Sequence, residues 1–244
     1  MSISLYTQSG LRFWSEKEIQ IREQAIQTIY LALSKALKGQ NAAWVFERVE
    51  GPLITPRSMI SDAYDDSDIF GLNAEMAQSA MALRAETTAS SYAYATHLLS
   101  HHEEGGAKPP KLPLCVWQVG KSFRRETNDG ARASELRFNE FYQLEFQCIY
   151  SAKTSADVRA VAMDAVETAI RQVTLSTQSR RIPSDRLPDY SIRTDDIEVP
   201  FGAKIKEMAS ISTRKDFPKE DTLVLEVAVG LDRLVEVAMR NLNQ

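Results

Sequence analysis

The sequence predicts an α+β fold, a mostly antiparallel sheet flanked by helices. Helical periodicity is confined to a few stretches, β-type segments follow one another directly, and the two kinds do not alternate as βαβ units would require. A chain of 244 residues fits one large domain or two small ones and can bury a substantial core. With 33 acidic and 29 basic side chains the net charge is −4, so any contact with nucleic acid or anionic membrane has to be local. No stretch has about 18 consecutive apolar residues, and MSISLYTQSGLRFWSEKEIQ lacks the apolar core of a signal peptide, so a cytoplasmic protein without membrane attachment is expected. Cys115 and Cys148 are too few for a disulfide framework or a zinc site and are expected as reduced thiols.

Taken in order, the first element lies between Ser15 and about Leu37. There Ile19, Ala25, Ile26, Ile29, Tyr30, Leu33 and Leu37 recur at helical spacing with charges between them, which predicts a long amphipathic helix. Lys38-Gly39-Gln40-Asn41 breaks the pattern. AAWVFERVEGPLITP is rich in β-favouring side chains, is closed by Pro52 and Pro56, and reads as a strand and a turn. Residues 57–80 show no clear period. MALRAET reads as a short strand and TASSYAYATHLL as a helix starting near Thr87 or Thr88. A loop is expected over 101–111, where consecutive His101, His102, Glu103 and Glu104 lack the spacing of structural metal ligands. Strands follow at 113–126 and 138–150, a helix from about Ser155 to Val173, and a linker over 174–188. Strands near 196–213 and 222–229 and a helix from about Leu231 to Arg240 complete the chain.

The central strands sort into two faces. Period 2 places Cys115, Trp117, Val119 and Phe123 together, opposite Gln118, Ser122, Arg124 and Glu126. It likewise places Phe138, Tyr142, Leu144, Phe146 and Cys148 opposite Asn139, Phe141, Gln143, Glu145 and Gln147. By this alternation Lys121 and Arg125 go with the apolar face. Paired as an antiparallel hairpin centred near residues 131 and 132, the strands merge their polar faces and set Cys115 nearly opposite Cys148. The merged platform holds a cation, carboxylates, amides and the lone ring of Phe141. It suits a ligand with a phosphate, an amine and a planar heterocycle, over which Arg132 and Arg137 of the connecting loop would close. The same pattern also fits a half-exposed sheet whose charges face water. Glu226 interrupts the apolar strand LVLEVAV and, if buried, needs a partner, of which an arginine ion pair is the structural version.

GKSFRRE, a polar loop and ELRFNEFYQLEF together resemble motif 2 of the class II aminoacyl-tRNA synthetases, and of their glycyl branch in particular. FERVEGPLITP resembles motif 1, a strand after a long helix that ends in a proline, here Pro52. LVLEVAVGLDRLVEVAM resembles motif 3, with Gly230 and Arg233 in the places of its glycine and arginine. LRAETTAS is similar to the LRPET stretch of the glycyl branch and its prolyl and threonyl relatives, and KEMASISTRKDF to the strand lining the amino-acid pocket.

The resemblance spans most of residues 45–240 and implies a class II synthetase-like core occupying 1–244 as a single domain, with no anticodon-binding domain after Arg233. It implies ATP as substrate with Mg²⁺, activation of a small amino acid to an aminoacyl-adenylate, and a homodimer through motif 1. Arg124 would bind the α-phosphate and the amino-acid carboxylate, Glu126 would read the adenine amino group, and Phe141 would stack on adenine. Arg233 would cover the other adenine face or hold the γ-phosphate, and Arg137 would clamp the terminal phosphates. Glu86, Glu145 and Glu226 would surround the substrate ammonium, with Ala228, Glu207 and Arg214 lining the pocket. Ala85 replaces the proline of RPET, Thr88-Ala89 replaces Ala-Gln, and Ala228 stands where the glycyl branch has a serine. The resemblance therefore implies glycine first, with alanine, serine or another small amino acid behind it. The acceptor stays open between a tRNA end and another molecule such as a carrier protein or a modified base. A non-catalytic accessory or regulatory dimer subunit of the same fold is the alternative.

Overall fold

The computed structural model describes residues 12–62, 64–72, 81–100, 111–126, 136–185 and 187–243. His101, His102, Glu103, Glu104 and Arg132 lie outside the described residues. The first helix, α1 (Glu16–Gln40), begins at a capping box in which the Ser15 hydroxyl and the Glu18 carboxylate each satisfy the other's backbone N–H. It runs through Lys38 and Gly39, past the expected break, and ends at Asn41, whose N–H donates to the Leu37 carbonyl. AAWVFERVEGPLITP is two strands in two sheets, β1 (Val45–Arg48) and β2 (Ile54–Pro56), separated at Gly51-Pro52. In the span without period, two 3₁₀ turns, Arg57–Met59 and Asp66–Asp68, lead towards β3 (Met81–Leu83), which pairs antiparallel with β2.

Helix α2 (Thr88–Ser100) precedes the long hairpin of β4 (Leu114–Phe123) and β5 (Glu140–Ser151), paired in the expected register with Cys115 opposite Cys148 and Trp117 opposite Phe146. Both thiols are buried and free, with sulfurs 3.3 Å apart. Helix α3 (Val158–Thr174) is capped by Asp157 and is followed by β6 (Arg180–Pro183), a short edge strand inside the stretch expected as a linker. The expected strand at 196–213 is a hairpin, β7 (Ser191–Phe201) and β8 (Lys204–Arg214), turned at Gly202, whose φ of 65° is the left-handed region glycine occupies without steric cost. β9 (Thr222–Gly230) and α4 (Leu231–Leu242) end the chain.

Among the described residues seven strands form one sheet in the order β1-β4-β5-β9-β8-β7-β6, antiparallel except for the β1–β4 pair. One face is covered by α1, α3 and α4, and its core joins Ile29, Leu33 and Leu37 to Trp117, Leu144, Phe146, Val227 and Val229. Tyr30 stacks on Trp117 at 4.8 Å and Trp117 on Phe146 at 5.7 Å, which fixes α1 against the hairpin. On the other face α2 covers only part of the sheet, through Ala95 against Leu114, Val116 and Ile149. The uncovered part of that face carries the polar side chains of β4, β5, β8 and β9.

Two expectations for β4 need correction. Phe123 lies outside the core clusters and lines a second cavity of about 290 Å³ with Trp14, Phe70 and Leu83. Arg125, expected on the apolar face, lines the large polar cavity and donates its N–H to the Asp68 carbonyl at 2.8 Å. Arg125 lies beyond the end of β4, where alternation no longer dictates direction, whereas Phe123, the last residue of the strand, keeps the face of Tyr142 but borders a cavity there. Lys121, still within the strand, pairs with Glu140 as the face assignment requires.

Candidate functional site

A cavity of about 680 Å³ opens over the uncovered sheet face. Its wall includes Arg124, Glu126, Arg137 and Phe141 from the hairpin, Glu145 and Glu226 from the sheet, Glu86 from the turn before α2, and Ala228, Glu207 and Arg233. These residues span more than 140 positions of sequence and meet because β4, β5, β9 and β8 are neighbours in that order. Among the described residues, Arg214 is the one expected site residue absent from the wall. It is buried behind it, donating to Glu226 at 2.6 Å and to Asp216 at 2.6 and 3.1 Å.

At one end of the cavity Arg124 is held by the Ala85 carbonyl at 3.1 Å and the Tyr64 hydroxyl at 2.8 Å, with its guanidinium 5.2 Å from the centre of the Phe141 ring. Burial works against its charge, and Tyr64, Glu86, Glu207 and Glu126 outweigh that, so its pKa lies above the ordinary value. Arg137 approaches Glu126 at 3.6 Å. Arg233 stands in the first turn of α4, donates to the Glu207 carbonyl at 3.1 Å and lies 3.4 Å from the Glu207 carboxylate. Gly230 at the N-cap lets the helix start directly on the end of β9.

Next to Arg124, across the Tyr64 hydroxyl, stand three carboxylates, Glu86, Glu145 and Glu226. Glu145 accepts from Thr87 Oγ1 at 2.5 Å, Thr88 Oγ1 at 2.6 Å and Gln147 Nε2 at 2.5 Å, and burial and Glu226 still raise its pKa. Glu226 accepts from Arg214 and from Gln147 at 2.9 Å. The arginine partner that a carboxylate in LVLEVAV demands is thus Arg214. Burial opposes the charge on Arg214, and Glu226, Asp216 and Tyr92 together hold its pKa above the ordinary value. Glu86 accepts from the Tyr64 hydroxyl at 3.1 Å. Burial first, then Glu145 and Glu226, push its pKa up to about 7 against the pull of Arg214 and Arg124. Three glutamates face Arg214 and Arg124 here, so this cluster is complementary to one small cation.

Several supports had no sequence signal. Tyr64 lies in the stretch without period. Arg84, 2% exposed, donates to the carbonyls of Lys121, Gly51 and Pro52 and to Gln118 Oε1, tying the turn after β1 to β4. Arg12 donates to Asp232 Oδ1 at 3.0 Å and Glu236 Oε1 at 3.2 Å, while Asp232 Oδ2 accepts the Tyr142 N–H at 2.6 Å. Burial raises the Asp232 pKa to about 6 against Arg12 and that N–H. These contacts lock the start of α4 to β5 beside Phe141. Buried polar contacts between segments far apart in sequence leave no periodic trace in either one.

The chain has the fold of the catalytic core of class II aminoacyl-tRNA synthetases. Solved structures with the same fold include the prolyl-tRNA synthetase of Cryptosporidium parvum complexed with halofuginone and AMPPNP, with a TM-score of 0.69 at 12% identity over 96% of this chain and 48% of that one. The Giardia lamblia prolyl-tRNA synthetase in complex with prolyl-adenylate gives 0.65 at 15% identity over 96% and 49%. In sequence the similarity falls on glycine–tRNA ligases: that of Mycoplasma capricolum is 31% identical over 150 residues, 51% of this chain and 32% of the relative. The ligase of Mycolicibacterium paratuberculosis is 31% identical over 113 residues, 44% of this chain and 24% of the relative. The chain thus spans about a third or less of the length of these curated relatives. No family model matches it.

Proposed function

We propose that the chain activates a small amino acid, glycine first, with ATP, giving an aminoacyl-adenylate and pyrophosphate, and passes the aminoacyl group to a tRNA end or another acceptor. The observation that carries this reading is one cavity whose wall joins Arg124, Phe141 and Arg233 to the carboxylates of Glu86, Glu145 and Glu226. Adenine stacks on Phe141 with Glu126 reading its amino group, and Arg233 and Arg137 take the outer phosphates or the free adenine face. The substrate ammonium goes to Glu86, with Glu145 and Glu226 as the fixed negative background and Ala228 in the pocket floor. Arg214 acts through Glu226, and Glu207 through Arg233.

In the reaction a carboxylate oxygen of the amino acid attacks the α-phosphorus in line, the new O–P bond forms, and the bond to the bridging oxygen breaks, releasing pyrophosphate. The carboxylate is already ionised, so no general base is required. Catalysis comes from positioning and from the cation of Arg124, which meets the charge developing on the α-phosphate. Mg²⁺ would accompany the triphosphate. Among the described residues no three His, Cys, Asp or Glu side chains converge to hold a metal on their own. A nucleotide-borne Mg²⁺ needs only one or two carboxylates, and Glu207 and Asp196 on the cavity wall fit that need. Burial and then Glu207 raise the Asp196 pKa, a strain that a cation relieves. The ion would neutralise phosphate charge.

We further propose that the protein works as a homodimer whose interface includes the β2–β3 pair, where Leu53, Ile54, Leu72 and Met81 are each at least 39% exposed. The activation reading is tested by exchange of labelled pyrophosphate into ATP with Mg²⁺, screened over the twenty amino acids. Exchange supported by glycine or another small amino acid is expected. Failure of every amino acid with folded protein sinks the reading and leaves the accessory-subunit alternative.

A further inference from the structure

We propose that Tyr64 is a positioning residue of the amino-acid site, its hydroxyl linking Arg124 to Glu86 so that the groups for the substrate's carboxylate and its ammonium are held as one unit. This deepens the activation reading and rests on it. Tyr64 sits between the two 3₁₀ turns, its N–H bonded to the Ser61 carbonyl at 3.2 Å and its ring packed on Ile60, Ile69, Ala82 and Ala85. Arg57 pins the same loop by donating to the Asp66 carboxylate at 2.8 and 3.1 Å and to the Ile60 carbonyl at 3.2 Å. The hydroxyl is therefore delivered by an anchored segment.

The direction of the hydrogen bonds follows from chemistry. A guanidinium has no acceptor, so at the 2.8 Å contact Arg124 donates and the Tyr64 oxygen accepts. The single Tyr64 proton is then committed to Glu86 Oε2 at 3.1 Å. A donor aimed at a carboxylate favours its ionised form, the form that takes an ammonium. The charged and titratable groups around Glu86 are Arg124 after β4, Glu145 on β5, Glu226 on β9, Arg214 at the end of β8, and Tyr64 and Tyr190. Among them Glu145 and Glu226 oppose ionisation of Glu86 and the two arginines favour it, so loss of the Tyr64 proton tips Glu86 towards its neutral form.

Tyr64→Phe removes the hydroxyl and keeps the ring that packs below it. The amino-acid KM in pyrophosphate exchange is expected to rise about tenfold while the ATP KM moves less than about twofold. The acid limb of kcat/KM for the amino acid moves to higher pH, because Glu86 then ionises later. An unchanged amino-acid KM with an unmoved limb overturns the proposal, and so does an equal loss for both substrates with a lowered Tm, the result of a purely structural tyrosine. If the unsubstituted protein exchanges with no amino acid, the activation reading fails by itself. Infrared titration of the ligand-free protein, with Glu86→Gln identifying the band, then decides the Tyr64 link: a Glu86 transition moved upward in Tyr64→Phe supports it, and an unmoved one overturns it.

Discussion

Arg124 and Glu86 sit on either side of one tyrosine hydroxyl, and their substitutions should separate chemistry from stability. Arg124→Ala is expected to reduce exchange by at least about a hundredfold, since it removes the cation nearest the reacting phosphate. The fold should remain, because Arg124 lines a cavity rather than the core, and an unaltered circular dichroism spectrum and Tm check this. Glu86→Gln should abolish amino-acid activation yet stabilise the protein at pH 8. The pKa of Glu86 is raised to about 7 from the 4.5 of a free glutamate, so the folded state holds a proton that the unfolded chain gives up. The associated stability is present below pH 4.5, is lost as pH rises through about 7, and leaves a buried charge above it. Glutamine carries no such penalty. Its gain should be of the order of 1–3 kcal/mol at pH 8 and near zero at pH 5, read from denaturant melts at the two values.

At the scale of elements, the polar faces of β4 and β5 were legible because period 2 and a symmetric hairpin leave one register in which apolar and polar sides both match. Gln118, Ser122, Gln143 and Glu145 lie on that face as the alternation requires, and Leu144 and Phe146 lie beneath. Legibility stopped where the strand did, which is why Arg125 departs from it. Gly120 shows what an element owes to its neighbour. A Cβ there would stand 1.9 Å from a guanidinium nitrogen of Arg84, and that guanidinium is tied to three carbonyls. Gly120→Ala should therefore destabilise by about 1–3 kcal/mol and depress exchange, since displacing Arg84 loosens both the turn after β1 and β4. Thermal unfolding with the exchange rate of the same preparation is the check. A stable, fully active variant would mean that Arg84 relocates without cost.

For the whole molecule the expected assembly is a dimer at micromolar concentration by sedimentation. A charge placed in the interface, Ile54→Asp, should shift it towards monomer with the secondary structure intact. A wild-type monomer at that concentration contradicts the homodimer proposal. No helix among the described residues is long and apolar enough to cross a membrane. Alternation, helical spacing and motif order sufficed for the α+β class, for the long hairpin and its register, and for many of the side chains on the cavity wall. These signals are local, and each survives in a linear string because a pleat or a helical turn repeats every few residues. Only the tertiary structure decided what each charged group is paired with. Glu226 found Arg214, Glu145 found Thr87 and Thr88, and Glu86 was left with Tyr64 from a stretch without any period. The physical reason is that the cost of a buried charge is set by the groups that surround it in space, and those come from segments whose separation along the chain carries no signal.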